Sequence, residues 1–234
     1  MIIPLVKFLE SLPKGELSKD DLLTKTTLMD CEGDVAVHYI PFDYFPEKVD
    51  ILLVGITPGF TQMRLAYEAA RDHLAKNNDE STLHRVAKQA ASFGGPMRRI
   101  LCNMLDEAGL PKALSVNHSA EIFEDDYDAV AFTSVLRCPV FVAGENYTGH
   151  RPKLVQSEFL MGNVREYFVR AVEPYPDALI VPMGKAVEEV LRFLDLPNPV
   201  LWGFPHPSPA NGHRKRQLEA NKSGMQRIIR EWRV

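Results

Sequence analysis

Apolar residues in this chain alternate between short continuous runs and stretches with helical spacing. The run Ile51-Leu52-Leu53-Val54 is bounded by Asp50 before it and by Gly and Pro after it, which predicts a strand over 51–55 buried on both faces. Similar runs predict strands over 35–40, 129–135, 178–182 and 199–204. Between them, residues 62–92 are polar and Ala-rich with helical spacing, and 96–108 form an amphipathic helix. In the latter, Ile100, Leu101, Met104 and Leu105 share one face and Gly109 is the stop. Helices are also expected over 153–172, over 185–194 and from about 216 onward, with a helical or irregular segment over 5–23 and a loop rich in Gly, Asn and Pro over 140–152. Strands alternating with helices imply an α/β fold, a three-layer α/β/α sandwich around a central, mainly parallel sheet of about four strands. The expected organisation is a single domain over 1–234, with 1–48 as an amino-terminal extension packed on it.

Two motifs fall just beyond predicted strand ends. Gly55-Ile56-Thr57-Pro58-Gly59-Phe60 follows the 51–55 strand, and His206-Pro207-Ser208-Pro209 follows the 199–204 run. Each alone can punctuate a loop. In open α/β sheets, however, binding crevices form outside the carboxyl ends of strands, so together they mark a candidate site.

Composition changes this picture in three ways. The 234 residues are 45% hydrophobic and 25% charged, enough for one sizeable core. The amino-terminal apolar run is too short for a signal sequence, and no stretch is long enough for a membrane span; a cytoplasmic monomer with no membrane association is expected. Cys31, Cys102 and Cys138 are widely spaced with no CxxC pair, so buried free thiols are expected rather than disulfides or a metal site. Net charge is −4, which does not advertise a polyanionic partner for the molecule as a whole. Acidic residues gather at Asp20, Asp21, Asp30, Glu32 and Asp34 and again at Glu121, Glu124, Asp125, Asp126 and Asp128. The carboxyl-terminal stretch instead carries Arg214, Lys215, Arg216, Lys222, Arg227, Arg230 and Arg233. A solvated helix face and phosphate contact both fit that stretch.

The ordered set of motifs resembles the uracil-DNA glycosylase superfamily over most of 50–230. GITPGF is similar to that family's GINPG or GEAPG motif, and Phe93-Gly94-Gly95-Pro96-Met97-Arg98-Arg99-Ile100-Leu101 to its PFxGxxGxxL segment. Thr133-Ser134-Val135-Leu136-Arg137-Cys138-Pro139 is similar to its TNVVKCRP strand end, Ile180–Ala186 to its strand and LGxxA turn, and HPSPANG to its HPSP motif. The resemblance implies a monofunctional DNA glycosylase acting on a flipped-out uracil or related pyrimidine and leaving an abasic site, with no cofactor or metal. Its partner is DNA, single- or double-stranded.

Breaking the glycosidic bond puts negative charge on the departing base, so donors must stand where that charge develops. The resemblance assigns this to His206, with Thr57 placing water. Gly55, Ile56, Pro58, Gly59, Phe60, Phe93, Ser134 and Ser208 then line the substrate, Phe93 being the preferred stacking face. Asn211, His213, Arg214 and Lys215 face DNA, and Asn146, Tyr147, His150 and Arg151 are candidates for a second contact. Two positions depart from the family. Ile56 and Thr57 stand where relatives place a Glu second or an Asp or Asn third, and a threonine hydroxyl is a poor base. Ser134 stands where many relatives have an Asn that reads uracil bidentately, which opens the site to a modified pyrimidine, including a hypermodified base of phage DNA, or to a catalytically silent DNA-binding relative. Cys138 occupies a cluster-ligand position of the iron–sulfur branch, but the amino-terminal CxxC is missing and no cluster is expected.

Overall fold

The computed structural model describes residues 4–77, 79–124 and 127–233. Met1–Ile3 of the amino-terminal apolar run and Asp125 and Asp126 of the second acidic stretch lie outside the described residues. In chain order the helices are α1 (Leu5–Ser11), α2 (Lys19–Leu22), α3 (Phe60–Asn77), α4 (Leu83–Ala91), α5 (Pro96–Ala108), α6 (Leu110–Leu114), α7 (Glu158–Asn163), α8 (Arg170–Val172), α9 (Lys185–Leu194) and α10 (Arg214–Trp232). The strands are β1 (Leu28–Glu32), β2 (Val35–His38), β3 (Ile51–Gly55), β4 (Val130–Ser134), β5 (Val140–Val142), β6 (Glu145–Asn146) and β7 (Leu179–Pro182). None of the described helices is long and apolar enough to cross a membrane.

The chain forms two compact units. The first comprises Met1–Phe45, Thr57–Gly94 and Leu136–Thr148; the second comprises Pro46–Ile56, Gly95–Val135 and Gly149–Val234.

In the first unit an antiparallel sheet has the order β1-β2-β5-β6, so the amino-terminal segment and the segment after Leu136 share one ladder, with Val35 opposite Val142 and Val37 opposite Val140. The β5–β6 hairpin corrects the expectation of a plain loop over 140–152. Its turn places Ala143 and Gly144 at φ 49 and 78, the two positive values that a tight hairpin turn matching strand twist requires. Ala in place of the usual Asn or Asp hides that turn from the sequence. Helices α3 and α4 pack together, and their apolar stripes join Leu9, Leu22, Ile40 and Phe141 in one buried cluster around Met63, Ala66, Tyr67 and Ala70. Tyr67 is fully buried, and its hydroxyl donates to the Tyr39 carbonyl at 3.0 Å, which removes the cost of burying an unpaired phenol.

The second unit is built on a parallel sheet of order β4-β3-β7. All residues of β3 and β7 are buried, as expected where helices cover both faces, so the α/β fold expected from the sequence is the one observed. The expected strand over 199–204 is reduced to one parallel bridge, Val200 to Ile180. Ile180 N–H donates to the Pro199 carbonyl and Leu201 N–H to the Ile180 carbonyl, both at 2.8 Å, after which the Trp202 N–H turns back onto Val200. Pro199 and Pro205 have no N–H to extend a ladder, and Gly203 turns the chain away. The helix expected over 153–172 begins at Glu158 with Ser157 as cap and passes through a π-helical stretch at Val164–Val169. Helix α5 keeps its expected limits, with Pro at its start and Gly109 closing it.

Candidate active site

Parallel strands deliver their carboxyl ends to one edge of a sheet, and three of them do so in the second unit. Gly55 at the end of β3 is the register partner of Ser134 at the end of β4. Val135 N–H donates to the Gly55 carbonyl at 2.9 Å, and Met183 N–H, just past β7, donates to the Val54 carbonyl at 2.8 Å. Gly184 follows at φ 89, ψ 172. Its N–H donates to the Phe204 carbonyl at 3.0 Å, and a Cβ added there would stand 3.0 Å from the His206 Cβ and 3.3 Å from the His206 nitrogen. The loop carrying His206 is therefore seated directly on the turn after β7, at the edge that also holds Gly55, Ile56 and Ser134. Ile56 is half-buried beside Gly149, where an added Cβ would touch the Ile56 Cδ1 at 3.5 Å and the Ala186 Cβ at 3.2 Å.

The His206 loop is held from both ends. Upstream, the Gly203 N–H donates to Glu188 Oε1 at 2.6 Å and its carbonyl accepts from Asn221 Nδ2 at 2.8 Å, so α9 and α10 clamp the two peptides that flank Gly203. Downstream, Asn211 Nδ2 donates to the His206 carbonyl and to Gln217 Oε1, both at 3.1 Å. Arg214 donates to the Asn211 carbonyl at 2.9 Å and to that of Pro209 at 3.4 Å. The Ser208 hydroxyl accepts from the Ala210 N–H at 3.2 Å. Glu188, Asn221 and Gln217 escape sequence reasoning because they carry no motif, and two of them lie on helices 15 and 18 residues from the glycine they hold.

His206 is half-buried, and burial holds its pKa below the ordinary 6.5, because desolvation penalises the charged ring. The Ser208 N–H donates to His206 Nδ1 at 3.1 Å. Accepting that bond requires a lone pair on Nδ1, so the neutral ring carries its proton on Nε2. The loop thus prepares a neutral imidazole whose one ring donor is Nε2–H.

Residues Thr57 to Phe60 belong to the first unit, which the chain enters at the Ile56–Thr57 peptide. Thr57 Oγ1 donates to the Cys138 carbonyl at 2.9 Å and accepts from the Val140 N–H at 3.1 Å, pinning this turn to the start of β5. Gly59 N–H donates to Gln62 Oε1 at 3.0 Å and Phe60 N–H to Asn146 Oδ1 at 2.8 Å, so two side chains cap the start of α3. The half-buried Phe60 packs on the apolar cluster of this unit. Phe93 is half-buried and sits at φ 50, a left-handed conformation costing about 1–3 kcal/mol that such residues keep mostly where function or packing demands it. Cys31 is exposed rather than buried as expected, because it lies on β1, whose residues are mostly exposed; the Cys138 thiol is pushed up to about 12 by burial, which makes it an inert thiol rather than a nucleophile. His213, Lys215, His150 and Arg151 are exposed, and Tyr147 is buried.

Residues 42–233 match the family described as the Uracil DNA glycosylase superfamily. The chain belongs to that superfamily. It is also 37% identical over 225 residues to the uncharacterized protein YoxB of Bacillus subtilis (strain 168), a match covering 93% of this chain and 88% of that protein. Superfamily membership suggests a glycosylase-type function, since members of this superfamily act on DNA, and it accounts for the order of the motifs along the chain. Against that background the superfamily's carboxylate or amide position is occupied by a hydroxyl already bonded to Cys138 and Val140, and the half-buried Ser134 offers one hydroxyl where a bidentate amide would stand.

Proposed function

We propose that the protein is a monofunctional DNA glycosylase that hydrolyses the N-glycosidic bond of an extruded uracil or related pyrimidine and leaves an abasic site, with His206 stabilising the departing base. The observation that carries this reading is the Ser208 N–H bond to His206 Nδ1. It leaves Nε2–H as the donor to a carbonyl oxygen of the base, whose negative charge grows as the C1′–N bond breaks and its electron pair leaves with the base. One preorganised donor of this kind contributes about 10²–10³ in rate, roughly 2.7–4 kcal/mol. Water adds its oxygen to C1′ of the oxocarbenium-like sugar and releases a proton to the departing base or to solvent.

The Thr57 hydroxyl shares its proton between the Cys138 and Pro58 carbonyls and uses one lone pair to accept from the Val140 N–H; with the other it can accept a hydrogen bond from that water and aim it. It orients the nucleophile without deprotonating it, so leaving-group stabilisation carries the reaction. Phe93 supplies the stacking face for the extruded base. Ser134 reads one edge atom and leaves space beside it, which suits a substituted pyrimidine as well as uracil. Exposed His213 and Lys215 meet the DNA. The engagement of Thr57 also favours a second reading, a DNA-binding relative that does not turn over.

Base release from single- and double-stranded oligonucleotides carrying uracil, hypoxanthine, xanthine or substituted cytosines, developed with alkali, separates the two. Release that falls at least 100-fold in His206→Ala, with DNA binding retained, is the expected result. Release unaffected by His206→Ala overturns the assignment of His206, and binding without release of any base establishes the second reading.

A further inference from the structure

The carboxyl-terminal helix α10 begins where the His206 loop ends, since Arg214, its first residue, donates to two carbonyls of that loop. Leu218, Met225 and Ile229 are its buried side. At 100° per residue, Lys215, Arg216, Lys222, Arg227 and Arg230 fall within an arc of roughly 140° next to that side. All of these except Lys222 are exposed. Two members are partly neutralised, Lys222 by Glu219 at 3.8 Å and Arg227 by Glu231 at 4.0 Å. Among the described residues no carboxylate comes within ion-pair distance of Lys215, Arg216 or Arg230. From Lys215 to Arg230 the face runs about 22 Å along the helix axis, the length of roughly six base pairs.

The chain as a whole carries a net charge of −4 and so repels a polyanion at long range. A cationic strip on such a molecule orients the encounter, because it is the surface a phosphate backbone can approach. We propose that this face of α10 is a docking track for the phosphodiester backbone of duplex DNA, holding the duplex beside the His206 loop without reading sequence. The proposal rests on the DNA-directed reading of the preceding section but not on turnover. Each phosphate neutralised releases condensed counterions, so binding through Lys215, Arg216 and Arg230 has a defined salt signature.

The test is fluorescence anisotropy of an undamaged duplex oligonucleotide over a salt series, with the intact protein, the triple variant Lys215→Ala/Arg216→Ala/Arg230→Ala, and a control that removes three exposed lysines elsewhere, Lys7→Ala/Lys14→Ala/Lys25→Ala. The slope of log K against log salt is expected to flatten by roughly 0.9 per contact, about 2.7 in total, in the α10 variant and not in the control. Thermal unfolding verifies that both variants remain folded. A slope equal to the wild-type value, or one flattened equally by the control, overturns the proposal. A flattened slope in a protein that releases no base from any substrate leaves the track standing and removes the glycosylase reading; base release with an unchanged slope does the reverse.

Discussion

Gly184→Ala isolates the seat of the His206 loop. The native conformation, φ 89 and ψ 172, lies in a region essentially reserved for glycine, and holding an alanine there costs roughly 1–3 kcal/mol. The new methyl would also stand 3.0 Å from the His206 Cβ and 3.3 Å from its backbone nitrogen, closer than ordinary carbon contacts, so the loop must retreat by several tenths of an ångström. For a chain of 234 residues each kcal/mol shifts the unfolding midpoint by about 2–4 °C, which gives an expected loss of roughly 2–12 °C. A 1 Å misplacement of a catalytic group costs on the order of 10² in rate, so the smaller retreat of the Nε2 donor should lower single-turnover base release about 10- to 100-fold. Calorimetry and single-turnover assays at saturating DNA read the two effects separately. A Gly184→Ala protein with wild-type midpoint and wild-type rate would refute the contact on which the seating of His206 depends.

Two further predictions follow from the same loop. Burial lowers the folded pKa of His206 below 6.5, so its contribution to stability is fully present above 6.5 and is lost as pH falls from there toward the folded pKa, because the unfolded chain takes up the proton first. Protonation also removes the Nδ1 lone pair that Ser208 uses; base release should therefore decline on the acid side of the folded pKa, and a rate that rises steadily with acid would contradict the neutral-donor role. Glu188→Ala leaves the Gly203 N–H without its 2.6 Å acceptor, at a cost of about 1–3 kcal/mol. Its kcat should fall with KM little changed, and Glu188→Gln, which keeps an acceptor oxygen, should restore most of the rate.

What the sequence determined by itself is local. The unbroken apolar run makes β3 a strand covered on both faces, and Pro96 and Gly109 bracket α5, because one or two neighbouring residues decide backbone φ/ψ and capping. The motif order was equally legible, and it identified the superfamily. Tertiary structure decided everything that depends on residues distant in the chain. The run at 199–204 had strand composition, yet the turn at Gly203 and the lack of N–H groups at its prolines cut it to a bridge at Val200. The composition of 140–152 predicts a loop, yet pairing with Val35 and Val37 makes its first residues a strand. The tautomer of His206 rests on how its loop folds back on itself, and the orientation of that loop on hydrogen bonds from Glu188 and Asn221 on two other helices. The motif position makes Thr57 a candidate water ligand, and only the fold reveals that its hydroxyl already spans Cys138 and Val140. The reason is physical: propensity and periodicity act through adjacent residues, whereas a hydrogen-bonded site exists only once strand ends, turns and helices have converged.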